Sequence, residues 1–220
     1  NSKFLKDIYI PIPPISEQKK IAKILYTVDE SIEKTDAIIE ETRQLKKGLM
    51  QKLFTEGIGH TRFKETKIGR IPEEWDVLEL DRIIQHHRKI TYGIVQPGKM
   101  DKNGIYLVRG KDYSNAWANP EEFFKVSPEI ELPYKRARLE TNDIILTIVG
   151  AGSGNVSIVP NWLSGANITQ TTARLAVDET KGYYRFIYYM LQSYIGKLNL
   201  NKFVKGAAQP GLNLGDVKKY

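Results

Sequence analysis

The chain has 220 residues, 41% of them hydrophobic and 27% charged, proportions that suit a folded protein and exclude a disordered or collagen-like one. Its 33 Lys and Arg against 26 Asp and Glu leave a net charge of +7, and the lack of any cysteine excludes disulfides, thiolate metal sites and cysteine nucleophiles, pointing to a reducing cytoplasm. No apolar run approaches membrane length and no signal peptide opens the chain, so a cytoplasmic protein is expected.

Residues 4–12 read as a short extended segment ended by prolines. Within it Leu5-Lys6-Asp7-Ile8 shares a Leu-x-Asp-(Ile/Val) core with Leu214-Gly215-Asp216-Val217 at the far end. Such an echo implies a repeat, with residues 1–15 as the tail of one copy and its proline-rich lead-in, followed by most of the next copy.

Residues 16–56 read as one long helix, roughly 60 Å at about 1.5 Å per residue. Ile21, Ile24 or Leu25, Val28, Ile32, and Ile38 or Ile39 form a heptad seam, with Thr35 and Thr42 at intermediate positions; Leu45, Leu49 and Leu53 resume it in a shifted register. Charged residues fill the other faces, so one narrow stripe is dry and needs a partner helix. The pairing residues expected are Ile21, Leu25, Val28, Ile32, Ile39, Leu45, Leu49 and Leu53. Ser16 is the predicted cap of the first turn and Gly57 the predicted stop.

The helix carries eight basic and eight acidic residues, so the charge excess lies elsewhere: +6 falls in residues 57–220. That basic balance suggests a polyanion partner, beside the plainer reading of solubility. A linker to residue 67 leads into Ile68-Gly69-Arg70-Ile71-Pro72-Glu73-Glu74-Trp75, which opens a second domain. Strands are predicted over 105–108, 144–149, 156–159 and 171–177, separated by long segments at 89–104 and 111–125 that are rich in Gly, Asn, Lys and aromatics. Loops of that length are usually functional. A helix is predicted over 182–198, with Tyr183, Phe186 or Ile187, Met190 or Leu191, Tyr194 or Ile195, and Leu198 on its buried face.

No motif here carries chemistry. Gly150-Ala151-Gly152-Ser153-Gly154 follows a strand but leads into another strand, whereas a nucleotide loop needs a helix there; a turn is expected, with exposed amides that could approach a phosphate backbone. Asn119-Pro120 is followed by Glu121-Glu122 rather than the proline and aromatic of an amino-methyltransferase loop. His86 and His87 are adjacent and cannot share a helix face as metal ligands do, and Asp143 lacks the acidic partner and Glu-x-Lys of a nuclease. No catalytic residue, metal or cofactor is therefore expected.

With these residues laid out, the chain resembles the specificity subunit of type I restriction-modification systems. The resemblance rests on Pro11-Ile12-Pro13-Pro14-Ile15-Ser16-Glu17-Gln18 before the helix, Ile68 to Trp75 at the domain opening, Asn142-Asp143-Ile144-Ile145, Asn167-Ile168-Thr169-Gln170-Thr171-Thr172, and residues 206–220. It implies an α+β architecture: a long coiled-coil-forming helix followed by a mixed target-recognition domain with twisted strands and long loops, at 57–220. It also implies a non-catalytic, prokaryotic protein that recognises a bipartite duplex DNA target. Methyltransferase and restriction/translocase subunits would supply the chemistry. A full subunit of this family has two recognition domains. This chain has one plus the tail of another, so it is expected to be a half subunit or a fragment of a full one, forming a homodimer or pairing with a second half through the helix.

The family framework does not name base-reading residues. On physical grounds Arg109 and Lys111 suit guanine, Gln96 and Asn115 suit adenine, and Lys99, Lys102 and the Ser153 region suit phosphates. Lys89, Tyr92, Tyr113, Trp117 and Asn155 complete the expected DNA-binding set. Two other classes compete: a coiled-coil adaptor without DNA binding, which leaves the basic, long-looped domain unexplained, and a DNA-modifying enzyme, which lacks every motif sought above.

Overall fold

The computed structural model describes residues 9–114, 116–204 and 211–220, so the first copy of the Leu-x-Asp echo lies outside the described residues. The contacts divide the chain into residues 1–49 and 50–220. Helix α1 (Ile15–Glu56) runs unbroken for 42 residues. It starts one residue before the expected Ser16 cap. The carbonyl of Pro14 accepts from the amides of Glu17 and Gln18 at 2.9 and 3.0 Å, and that of Pro13 from the Gln18 side chain at 2.7 Å, so the proline carbonyls hold the first turn. Gly57 ends the helix at φ 66° with its amide on Leu53, a left-handed stop that glycine adopts without a Cβ clash.

Along the α1 seam the apolar side chains stand in the open: Ile32 is 54% exposed and Leu45 63%. The hydroxyls of Thr35 and Thr42 each donate to the carbonyl four residues back, at 2.8 Å. Their polar groups are thereby used, leaving mainly methyl surface for a partner. Only Phe54, in the last turn, is buried, edge-on to Phe186 at 5.3 Å.

Residues 50–220 build three small sheets. A hairpin pairs β1 (Phe63–Thr66) with β2 (Gly69–Pro72). A four-stranded sheet has the order β3 (Thr91–Tyr92), β9 (Thr172–Leu175), β6 (Ile144–Thr147), β7 (Val156–Ile158), all antiparallel. A three-stranded sheet has the order β5 (Phe124–Val126), β4 (Ile105–Val108), β8 (Asn167–Ile168), with β4 and β8 parallel. The two larger sheets are joined where β3 runs past β8. Gly93 makes that crossing possible, because a Cβ there would lie 1.8 Å from the Ile168 carbonyl.

The strand alternation divides the core. Ile144, Leu146, Ala173 and Leu175 face one cluster, shared with Leu191, Leu200 and Val217 of α3 (Tyr184–Gln192), α4 (Tyr194–Asn201) and α5 (Leu214–Lys219). Ile145 faces the opposite cluster, with Val108, Phe123, Leu139, Leu163 and Ile168. Burial on both faces explains why β6 reads as a continuous apolar run. The long segments expected as loops are mostly exposed but send anchors into this core: 89–104 contributes β3 and buried Ile90 and Ile94, and 111–125 ends in buried Phe123 and β5.

The single helix expected at 182–198 is two. Ser193 breaks it: its hydroxyl donates to the Met190 carbonyl at 2.7 Å and accepts from the Gly196 amide at 3.0 Å, capping α4. Gly196 has to be glycine for this bend, since a Cβ would meet the Met190 carbonyl at 2.0 Å. The break also re-aims the inner face. Ile187, Leu191 and Ile195 turn inward or halfway in, while Tyr183, Phe186, Tyr194 and Leu198 are exposed.

The buried carboxylates are paired. Arg88 holds Asp143 through both guanidinium ends, at 2.9 and 2.5 Å, and Asp143 also accepts from the Glu140 amide. Burial nevertheless pushes the Asp143 carboxyl up, the arginine only partly offsetting it. Arg174, buried on β9 beside this pair, is lowered by burial to about 10 and stays charged at neutrality; its guanidinium donates to the Lys89 carbonyl at 3.0 Å. Asp143 is thus an internal anchor.

Candidate nucleic-acid interface

Strand direction decides which loops meet. In the four-stranded sheet Thr147, at the end of β6, lies opposite Thr172, at the start of β9, and its amide bonds to Asn155 just before β7. β3 ends at the same edge, with Tyr92 opposite Ala173. The parallel strands β4 and β8 also end there, Val108 beside Ile168, and Ile94 bridges to Thr169. One rim therefore gathers residues 92–96, 109–112, 148–155 and 169–171 from four separate stretches of sequence.

Hydrogen bonds brace this rim. The Tyr113 hydroxyl lies 2.7 Å from that of Thr147 and 3.2 Å from that of Thr172. Thr169 donates its amide to the Val108 carbonyl, Gln170 to that of Ile94 and Ile148 to that of Thr171. The hydroxyls of Thr169 and Thr171 bond at 2.8 Å. Backbones so fixed can present side chains in set directions, which reading base edges requires.

The expected DNA-binding residues separate. Tyr92, Gln96, Lys111 and Asn155 are exposed on the rim. Lys89 precedes β3, and Lys99 and Lys102 precede β4, so these three are exposed at the opposite ends of those strands; there Lys125 donates to the Lys102 carbonyl at 3.2 Å and sits 4.8 Å over the Tyr106 ring. Asn115 lies outside the described residues.

Four expectations need correction. Tyr113 is 4% exposed, and burial pushes its hydroxyl up; it ties strands together instead of facing a ligand. Trp117 donates its indole N–H to the Ile158 carbonyl at 3.2 Å and stacks near Phe123, its ring completing the core. Arg109 has Nε and Nη2 on the two oxygens of buried Asp112, at 3.1 and 3.0 Å, with Nη2 also on the Glu122 carbonyl, so the fork expected to read guanine already holds a carboxylate. The hairpin 150–154 is a turn between strands, as expected. The amides of Ser153, Gly154 and Asn155, however, are bonded to the carbonyls of Gly150, Thr147 and Gly152, and the Ser153 hydroxyl is buried without a partner.

Two rim residues escaped the sequence reading. Gln170 is exposed at the crest between β8 and β9, and Val95 stands beside Gln96, 40% exposed. The polar run Thr169-Gln170-Thr171 between two apolar strands was the available signal. Among the described residues no group of three acidic or histidine side chains could hold a metal ion; His60 pairs instead with Glu74 at 2.7 Å.

A family model described as the type I restriction modification DNA specificity domain matches residues 1–43. The type I restriction enzyme EcoBI specificity subunit of Escherichia coli is 34% identical over 99% of this chain and 48% of its own length. The MjaVIII specificity subunit of Methanocaldococcus jannaschii is 30% identical over 96% of this chain and 50% of its own. Among solved structures, the HsdS subunit from Thermoanaerobacter tengcongensis superposes with a TM-score of 0.53 at 17% identity, covering 96% of this chain and 47% of that one. A chain from a study of type I restriction-modification assembly gives 0.55, also at 17% identity, covering 96% and 48%. The chain thus spans about half the length of the relatives it matches.

Proposed function

The chain belongs to the family of type I restriction-modification specificity subunits, and from that we propose that it recognises a specific sequence in duplex DNA on behalf of methyltransferase and restriction subunits. The observation that carries the proposal is the braced rim, where exposed Gln96, Lys111, Asn155 and Gln170 from four stretches of the chain converge on one edge of a basic unit. Amide side chains pair with adenine in the major groove, and lysines hold phosphates or guanine. Lys89, Lys99 and Lys102, at the other strand ends, suit the flanking backbone. In this reading the chain supplies no chemistry of its own; methyl transfer and cleavage belong to its partners in the cytoplasm.

The uncovered seam of α1 gives the second part of the proposal: the helix pairs antiparallel with that of a second copy or of a second half-subunit, setting two recognition units apart on the DNA. Reconstitution with a type I modification subunit, followed by mapping of methylated bases across a genome, tests the whole reading. A single bipartite motif that disappears when Gln96 and Gln170 are replaced by Ala supports it. Methylation without sequence preference, or no DNA binding with the modification subunit present, overturns it.

A further inference from the structure

Val95 is an apolar side chain on a mostly polar rim: it is 40% exposed, lies between buried Ile94 and exposed Gln96, and packs in none of the three core clusters among the described residues. A single exposed valine is ordinary on a protein surface. Val95 stands apart in how firmly it is held and in what surrounds it. We propose that Val95 is a specificity-determining residue, packing on the C5-methyl of a thymine while Gln96 and Gln170 hold adenine beside it, an assignment that rests on the DNA-recognition reading.

The backbone on both sides of Val95 is fixed. The Ile94 amide donates to the Ile168 carbonyl at 2.7 Å, and the Ile94 carbonyl accepts from the Gln170 amide at 3.0 Å. On the other side Pro97 follows Gln96, and a residue before proline is biased toward extended backbone. Val95 therefore sits in a short span anchored at both ends, and its β-branched side chain has little rotamer freedom to lose on contact. The bond from Gln170 to Ile94 also sets Gln170 against this span. Two amide side chains and one aliphatic side chain thus come together from two distant stretches of sequence.

The chemistry around them favours an A·T pair. A G·C pair is read by a fork on guanine O6 and N7 or by a carboxylate on cytosine N4. The rim's arginine and carboxylate, Arg109 and Asp112, occupy each other through contacts of 3.1 and 3.0 Å, with Asp112 only 2% exposed. The hydroxyls of Thr169 and Thr171 likewise bond one another at 2.8 Å. Lys111 is exposed, but an ammonium on a flexible stem suits phosphate as well as guanine and does not choose a base. What the rim offers in fixed directions is amide and aliphatic surface. An A·T pair matches both, because adenine presents N6–H and N7 to an amide and thymine presents a methyl in the major groove. Covering that methyl with Val95 removes apolar surface from water, a gain of roughly fourfold in affinity on the scale of one buried methylene.

Deoxyuridine provides the test, because it keeps every hydrogen-bonding group of thymidine and lacks only the methyl. The full chain with a type I modification subunit first defines the methylated motif. Duplexes carrying that motif are then made with each thymine of one half-site replaced in turn by deoxyuridine. Competition binding should reveal one position at which the replacement weakens binding about fourfold. Val95→Ala should bind the thymine and deoxyuridine duplexes of that position equally, and Val95→Ile should retain the difference. Lys111→Ala should weaken both duplexes and keep the difference between them. Because the Val95 side chain is exposed, neither substitution there should shift the unfolding transition. A motif bound alike with thymine or deoxyuridine at every position, or a half-site without an A·T pair, overturns the role of Val95 and leaves DNA recognition intact. A loss on deoxyuridine that Val95→Ala retains gives the methyl to another side chain and also overturns it. Absence of any sequence-specific binding overturns the recognition reading itself, and the role of Val95 with it.

Discussion

Arg109 and Asp112 illustrate how a residue type misleads without its neighbours. An arginine after a strand suits a guanine, yet here its fork is spent on a carboxylate that is 2% exposed. Arg109→Ala should cost about 2–3 kcal/mol in urea unfolding, less than for a fully buried pair because the guanidinium is partly solvated. Lys111→Ala, exposed beside it, should change stability by less than about 0.5 kcal/mol and weaken DNA binding instead. Glu131 makes another internal pair: Arg138 hydrogen bonds at 2.7 and 2.6 Å hold its carboxyl below the usual glutamate range. Because the folded value is depressed, its stabilisation is complete above the ordinary pKa of 4.5 and is lost as pH falls through the folded value. Glu131→Gln should therefore cost about 1–2 kcal/mol at pH 7, with the gap to the parent chain closing in acid unfolding below that range.

At the scale of elements, α1 and the α3–α4 pair respond differently to substitution. Ile32 and Ile39 are exposed on α1 and pack on nothing in residues 50–220, so Ile32→Glu with Ile39→Glu should leave the unfolding transition of that unit unchanged. The same pair would place charge in the proposed helix seam at several kcal/mol each, and sedimentation should show loss of the dimer. A parent chain that sediments as a monomer would overturn pairing between two copies and leave only pairing with a different half-subunit. Ser193→Ala removes the hydroxyl that both ends α3 and caps α4, and should lower stability by about 1 kcal/mol in chemical unfolding with no effect on assembly.

For the whole molecule, the proposed dimer has a two-fold axis across its helices, so both recognition units read the same half-site in opposite orientations. The expected target is an interrupted palindrome, and methylation mapping that finds two unrelated half-sequences would show instead that a different recognition domain completes the assembly. Inserting seven residues near the middle of α1 keeps the seam in phase and lengthens it by about 10 Å, so the gap should grow by about three base pairs. Those base pairs also turn the half-sites by roughly a third of a turn, so activity on the new spacing is expected to fall even where the motif is retained. The lysines divide by position: Lys111→Glu should weaken binding from the rim, and Lys99→Glu with Lys102→Glu from the far strand ends, each lowering the salt slope by about 0.9 per lost phosphate contact.

Periodicity made α1 and its uncovered seam legible from residues alone, because a helix writes its exposed face into every third or fourth position whether or not a partner is present. Alternation and glycine likewise made the 144–159 hairpin legible. The sequence could not disclose that Ser193 splits a helix, since a serine inside an apolar pattern caps only when the backbone already bends there. Nor could it disclose which polar residues of the recognition domain face outward. Tyr113 and Trp117 sit in segments that look like loops, and only the arrival of Thr147 and Thr172 from one side and Ile158 from another draws them into the core. The rim itself is a product of topology: residues near 95, 110, 153 and 170 share an edge because β4 and β8 run parallel while β3, β9, β6 and β7 alternate, and strand order is decided by long-range pairing that no local pattern records.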